Sequence, residues 1–189
     1  PERGRILLDD LDLRLWSPAV LRQQIGVVPQ EVQLFSGTIA ENIALGAVDR
    51  QFERIVAAAK FVGAHDFIQR LPAGYDTRLG ERGSGLSAGQ RQLISVARAL
   101  IRNPRLLVLD EATSALDGLT EQALLANLKR ASRGRTVVMV THRLSALAIA
   151  DRVLFLADGR IQSEGPRGEI ANLVLGRQSA EYPTRPRPR

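Results

Sequence analysis

The run Leu106-Leu107-Val108-Leu109, followed at once by the acids Asp110 and Glu111, constrains this chain more than any other feature. Four consecutive large apolar residues do not fit a sheet with one wet face, so the run reads as a strand buried on both faces, of the kind found in parallel sheets flanked by helices. Ile6 to Asp9, Ile25 to Pro29, Thr136 to Thr141 and Arg152 to Leu156 are further strand candidates, and Arg160 to Glu164 pairs with the last of these after the turn Asp158-Gly159. Helical patterns alternate with them. Ser87 to Ile101 places Leu93, Val96, Ala97 and Leu100 at helical spacing before Pro104 stops it, and Leu124, Leu125 and Leu128 share a face after Asp117. Between Ser36 and Asn103 no strand is evident, and that stretch reads as a helical insertion. The fold class is therefore α/β with a parallel sheet.

Composition narrows the class further. At 189 residues, 44% hydrophobic and 24% charged, the chain reads as one globular domain, large enough to bury roughly 70% of its unfolded surface without covalent staples. The absence of cysteine excludes disulfides, thiolate metal sites and cysteine nucleophiles. Apolar stretches such as Thr136 to Val140 and Val153 to Ala157 fall far short of the roughly 18 to 20 residues a membrane span needs. Pro1 to Asp10 has no signal-peptide pattern, and Pro1 stands where an initiator Met is expected, so the chain reads as a piece of a longer one. Half of the net charge of +6 lies in residues 177–189, where Arg177, Arg185, Arg187 and Arg189 face only Glu181. This Pro/Arg-rich stretch reads as a disordered basic tail. With 4% aromatic residues there is no stacking platform for a nucleic acid, and none is expected as a partner.

Three motifs carry chemistry, each with a plainer alternative. Asp110 and Glu111 emerge at the carboxyl end of a strand, where α/β sheets place ligands, and can hold Mg²⁺ and polarise a water; the alternative is a strand stop and helix cap. Leu86-Ser87-Ala88-Gly89-Gln90-Arg91-Gln92 follows a glycine-rich approach and opens the long helix. It is either an anion site or an ordinary N-cap. His142, in Thr141-His142-Arg143, ends another strand and can donate to a phosphate oxygen or serve as a structural hydrogen-bonding residue. The other histidine, His65, reads as structural.

Order and spacing join these motifs. Val27-Val28-Pro29-Gln30, LSAGQRQ at 86–92, LLVLDEATSALD at 106–117 and VTHR at 140–143 together resemble the ATP-binding cassette (ABC) ATPase of transporters. The resemblance implies a P-loop NTPase (RecA-like) fold over residues 1–176, with a helical subdomain at about 31–103 and the N-terminal portion missing. It implies ATP and Mg²⁺ as ligands, and it makes Gln30 the Q-loop glutamine, beside both metal and water. Asp110 becomes the Walker B metal ligand, Glu111 the catalytic glutamate and His142 the switch histidine. Ser87, Ala88, Gly89 and Gln90 correspond to the signature, and Asp117 closes the D-loop (SALD at 114–117). In the family these last residues serve the nucleotide of a second cassette in a head-to-tail dimer. A membrane domain, fused in the full-length chain, is the other implied partner, which implies the cytoplasmic face of a bacterial inner membrane.

Phe35 to Ile43, Gly63 to Ile68, Leu71 to Thr77 and Gly80 to Gly83 are similar to exporter cassettes, notably those of type I secretion and peptide export, with multidrug exporters sharing most of the pattern. Two departures stand out. No G-x-x-x-x-G-K-[ST] loop occurs; the only lysines, Lys60 and Lys129, lie in no glycine-rich segment, and the family's adenine-stacking aromatic is also absent. Asp10 and Ala88 stand where the family usually has glycine. The chain alone is therefore expected to be inactive. A soluble non-transport cassette, or a noncatalytic partner that completes another subunit's site, are the alternatives.

Overall fold

The structure is a computed structural model and describes residues 3–47 and 49–170; the basic tail expected at 177–189 lies outside the described residues. The chain divides into two compact units, one ending at His142 and the other beginning at Arg143.

The first unit opens with a short hairpin, β1 (Leu7–Leu8) and β2 (Leu11–Asp12). Its turn residues Asp9 and Asp10 both have positive φ, 49° and 62°, as a two-residue hairpin turn requires. Asp10 thus stands where the left-handed conformation favours glycine, and aspartate is among the few other residues that tolerate it. Helix α1 (Pro18–Gln24), with Pro at its first position, leads directly into strand β3 (Ile25–Val28). The insertion follows: β4 (Gly37–Thr38), α2 (Ile39–Ala44), α3 (Phe52–Val62), α4 (His65–Gln69), β5 (Arg78–Leu79) and the long α5 (Ala88–Ile101). The chain then returns through β6 (Leu106–Asp110), α6 (Gly118–Ala131) and β7 (Thr136–Val140).

Strands β3, β6 and β7 form one parallel sheet in that order, with Val27, Val108 and Val138 in register. Helix α5 lies against β3, α2 and α3. It approaches so closely that a Cβ on Gly26 would sit 2.8 Å from both the Ala99 carbonyl and the Pro104 ring. Side-chain alternation puts Leu107 and Leu109 on the α5 side, where both are buried. The opposite row is open. Val27, Val138 and Val140 are 56%, 44% and 54% exposed, which corrects the expectation of strands buried on both faces. An apolar run records that a strand suits a covered sheet, but not which faces the described residues cover. Asp110 shares this open face.

The insertion is also not purely helical. Gly37 and Thr38 pair with Leu79 and Arg78 in a two-residue antiparallel ladder. It is too short to produce a periodic pattern. Thr38 then caps α2, accepting from the Glu41 N–H while the Glu41 carboxylate accepts from the Thr38 N–H.

The second unit is built on a hairpin of β8 (Arg152–Ala157) and β9 (Arg160–Pro166). Its turn is Asp158-Gly159, both at positive φ, and a bulge between Phe155 and Leu156 shifts the register. Arg152 and Glu164 form an ion pair across it.

Candidate functional site

Three segments from the carboxyl ends of parallel strands meet at one side chain. Gln30 follows β3, Glu111 follows β6 and His142 follows β7. The Gln30 amide Nε2 donates to Glu111 Oε2 at 3.3 Å, and His142 Nδ1 lies 3.2 Å from Glu111 Oε1. A carboxylate oxygen accepts, so the contact is a hydrogen bond in the tautomer with the proton on Nδ1. The glutamate side chain is partly sheltered, at 28% exposure, whereas that of His142 is 69% exposed. The carboxylate is therefore held on both oxygens at an accessible surface.

The backbone of Glu111 is held as firmly. Its φ is +47°, a conformation that costs a residue with a Cβ about 1–2 kcal/mol. Such strain persists only where the surroundings over-determine it. Here the Glu111 N–H donates to the Val140 carbonyl at 2.9 Å, and the Glu111 carbonyl accepts from the Ser114 N–H at 3.0 Å and from Gln92 Nε2 at 2.9 Å. Gln92, 2% exposed on α5, also accepts the Ala115 N–H at 3.0 Å. It clamps the whole Glu111–Ala115 turn to the helix. Sequence reasoning places Gln92 within LSAGQRQ but gives it no role; its signals are that motif and a Gln at an interior-facing position of an amphipathic helix.

Other contacts fix the segment that carries Gln30. Arg98 on α5 donates to the carbonyls of Gln33 and Asn42 and to the Asn42 side chain, at 2.7 to 2.8 Å, with its guanidinium 5.3 Å from the centre of the Phe35 ring. Burial pushes the Arg98 guanidinium below its ordinary pKa. Asn42, itself 2% exposed, bonds both the N–H and the carbonyl of Phe35.

The signature and D-loop residues lie apart from this trio. Ser87 Oγ accepts the Gln90 N–H at 3.2 Å and Gln90 Oε1 accepts the Ser87 N–H at 2.9 Å, a reciprocal cap on α5. Asp117 caps α6 through the N–H groups of Leu119 and Thr120 and the Thr120 hydroxyl. Ala88 is exposed. Gly89 is not interchangeable with it, since a Cβ there would meet the Ala115 carbonyl at 2.9 Å. Gly89 and Gln92 thus link the start of α5 to the turn that carries Glu111.

Asp110 stands at the end of β6 on the open sheet face. Among the described residues no group of three or more His, Asp or Glu could hold a metal by itself. One carboxylate and one amide oxygen, from Asp110 and Gln30, still fit Mg²⁺, which commonly takes one or two protein ligands and completes its shell with phosphate oxygens and water.

Fold and sequence together place the chain in a family. The sequence profile of the ABC transporter family matches residues 1–114, and the chain belongs to that family. The leukotoxin translocation ATP-binding proteins LktB of Mannheimia glucosida and Mannheimia haemolytica are each 48% identical to it over 170 residues, which is 90% of this chain and 24% of theirs. The chain thus spans about a quarter of the length of these relatives. A bacterial Atm1-family ABC exporter solved with ATP bound superposes with a TM-score of 0.88 at 40% identity, covering 94% of this chain and 32% of that one. The parallel sheet and its helices have the P-loop fold of an ABC exporter's ATPase region. No helix among the described residues is long and apolar enough to cross a membrane.

Proposed function

We propose that this chain is the part of an export transporter's ATP-hydrolysing cassette that follows the phosphate-binding loop, with Glu111 as the residue that acts on the attacking water. The observation that carries the reading is the convergence of Gln30 and His142 on the two oxygens of Glu111. A carboxylate held in this way is oriented before substrate arrives, so it can position a water for in-line attack on a γ-phosphate and take its proton. On this reading His142 holds that carboxylate before nucleotide arrives and donates to a phosphate oxygen once it is bound. Asp110 and the Gln30 oxygen would hold Mg²⁺, which when bound neutralises the charge on the phosphate oxygens.

Ser87, Ala88, Gly89, Gln90 and Asp117 belong, on this reading, to the half-site that the chain lends to a second cassette. For Ser87 to Gln90 the start of α5 supports it, because first-turn N–H groups favour an anion. The partners are then a second cassette, head to tail, and a membrane domain that holds the assembly at the cytoplasmic face of a membrane. The membrane domain is fused to the cassette in the full-length protein. The length of the LktB relatives and the exporter architecture of the structural neighbour support that arrangement. The words "leukotoxin translocation" describe LktB; for this chain they favour type I protein secretion as the class of export.

A mixing assay tests the lent half-site. The 189-residue chain is combined with an intact homologous cassette whose own signature serine is changed to arginine. ATPase activity should rise above that of the same mixture made with Ser87→Arg in this chain. Equal rates with both folded chains would contradict the reading.

A further inference from the structure

At the end of the sheet opposite Glu111 lies a cavity of about 540 Å³, within the usual range of small-ligand pockets, roughly 300–1,000 Å³. It opens at the amino ends of β3, β6 and β7, on the order of 15 Å along β6 from the carboxylates. Five arginines line it, drawn from three separate segments: Arg54 on α3, Arg102 and Arg105 between α5 and β6, and Arg133 and Arg135 between α6 and β7. Among the described residues, Asp49 is the one carboxylate on the wall.

Some of these guanidinium groups have structural work. Arg54 donates to the Ile101 carbonyl at 3.1 Å and reaches Asp49 at 3.4 Å, Arg102 donates to the Arg22 carbonyl at 2.6 Å, and Arg135 donates to Asn103 Oδ1 at 2.9 Å. Those bonds fix three forks in place while leaving each with further N–H donors. Arg105 and Arg133 are exposed, and no hydrogen bond or ion pair to a described residue engages their side chains. Charge does not balance. The carboxyl ends of α1, α5 and α6 contribute at most about half a negative charge each. With Asp49 they leave more than two of the five positive charges uncompensated.

We propose that this cavity binds an anion carrying two or more phosphate groups. Planar guanidinium forks recognise phosphate through paired N–H donors, and arginines on separate walls suit more than one anionic group at once. The same chemistry can come from a soluble polyphosphate or from the headgroups of an anionic lipid surface. The site is independent of the nucleotide site proposed above, because it shares no residue with it.

Calorimetric titration of the 189-residue chain with pyrophosphate, and cosedimentation with phosphatidylglycerol vesicles against phosphatidylcholine vesicles, test this and separate the two sources. The test variant is Arg105→Glu/Arg133→Glu, and the control Arg70→Glu/Arg160→Glu has the same net charge. Arg105→Gln/Arg133→Gln replaces the test variant if circular dichroism shows the reversal to be unfolded. Affinity for at least one probe should fall by about tenfold or more in the test variant and change by less than about twofold in the control. Pyrophosphate responding alone identifies a soluble ligand; vesicles responding alone identify a lipid surface. Equal losses in test and control, or no binding of either probe, would overturn the proposal and leave the arginines as staples for helix ends.

Discussion

The side-chain amide of Gln92 donates to the main-chain carbonyl of Glu111 at 2.9 Å, across nineteen positions of sequence. With its oxygen on the Ala115 N–H, this one side chain spans the turn between the acids of β6 and the start of α6. Gln92→Ala takes the acceptor from the Ala115 N–H, removes one donor from the Glu111 carbonyl and empties the buried space the Gln92 side chain fills. The expected destabilisation is about 2–3 kcal/mol by urea unfolding. A loss below about 0.5 kcal/mol would show that the turn does not depend on the clamp.

The two small residues of the signature should respond to different degrees. Gly89→Ala drives a methyl group against the Ala115 carbonyl, 2.9 Å from the ideal Cβ position, and should cost about 1–3 kcal/mol. Ala88→Gly, which restores the residue usual in the family, touches nothing comparable and should cost no more than about 1 kcal/mol of helix propensity. Thermal melts of the two variants compare them directly. Equal shifts would contradict the packing role assigned to Gly89.

Asp117 provides a pH test. The Thr120 N–H, then the Thr120 hydroxyl, hold its carboxyl below the ordinary 3.8. A folded pKa below the unfolded one means that the charged cap stabilises the fold above about pH 4, and that this contribution is lost as pH falls through the lower folded value. Carboxyl ¹³C titration should place the Asp117 midpoint below 3.8, and Asp117→Asn should flatten the acid limb of the stability curve. A midpoint at or above 3.8 would exclude the charged cap.

Much of this architecture was legible before the structure. Asp110 and Glu111 end an apolar run, and a parallel sheet delivers such residues to one edge together with Gln30 and His142. Gln92 was not legible, because a buried polar side chain on a helix looks like any polar position until its partners are known. The β4–β5 ladder was hidden for another reason: two residues per strand carry no period. Helix α1 was missed as well, since seven residues with only Ser17 and Pro18 as a start signal give too short a pattern. The open row of Val27, Val138 and Val140 could not be read from hydrophobicity, which does not say what covers a face.

The 189-residue chain by itself contains no phosphate-binding loop, so Gln30, Glu111 and His142 have no cradled γ-phosphate to act upon. Phosphate release by the purified chain should equal that of its Asp110→Ala variant. Release above that control would mean that another part of the chain binds the phosphates.

The most direct test of the central claim is Glu111→Gln in a chain that carries a phosphate-binding loop upstream of these residues. If this carboxylate orients and deprotonates the attacking water, ATP binding should persist while turnover falls by about two orders of magnitude or more, and an ATP-bound dimer should accumulate. Unchanged turnover in the glutamine variant would contradict the role assigned to Glu111.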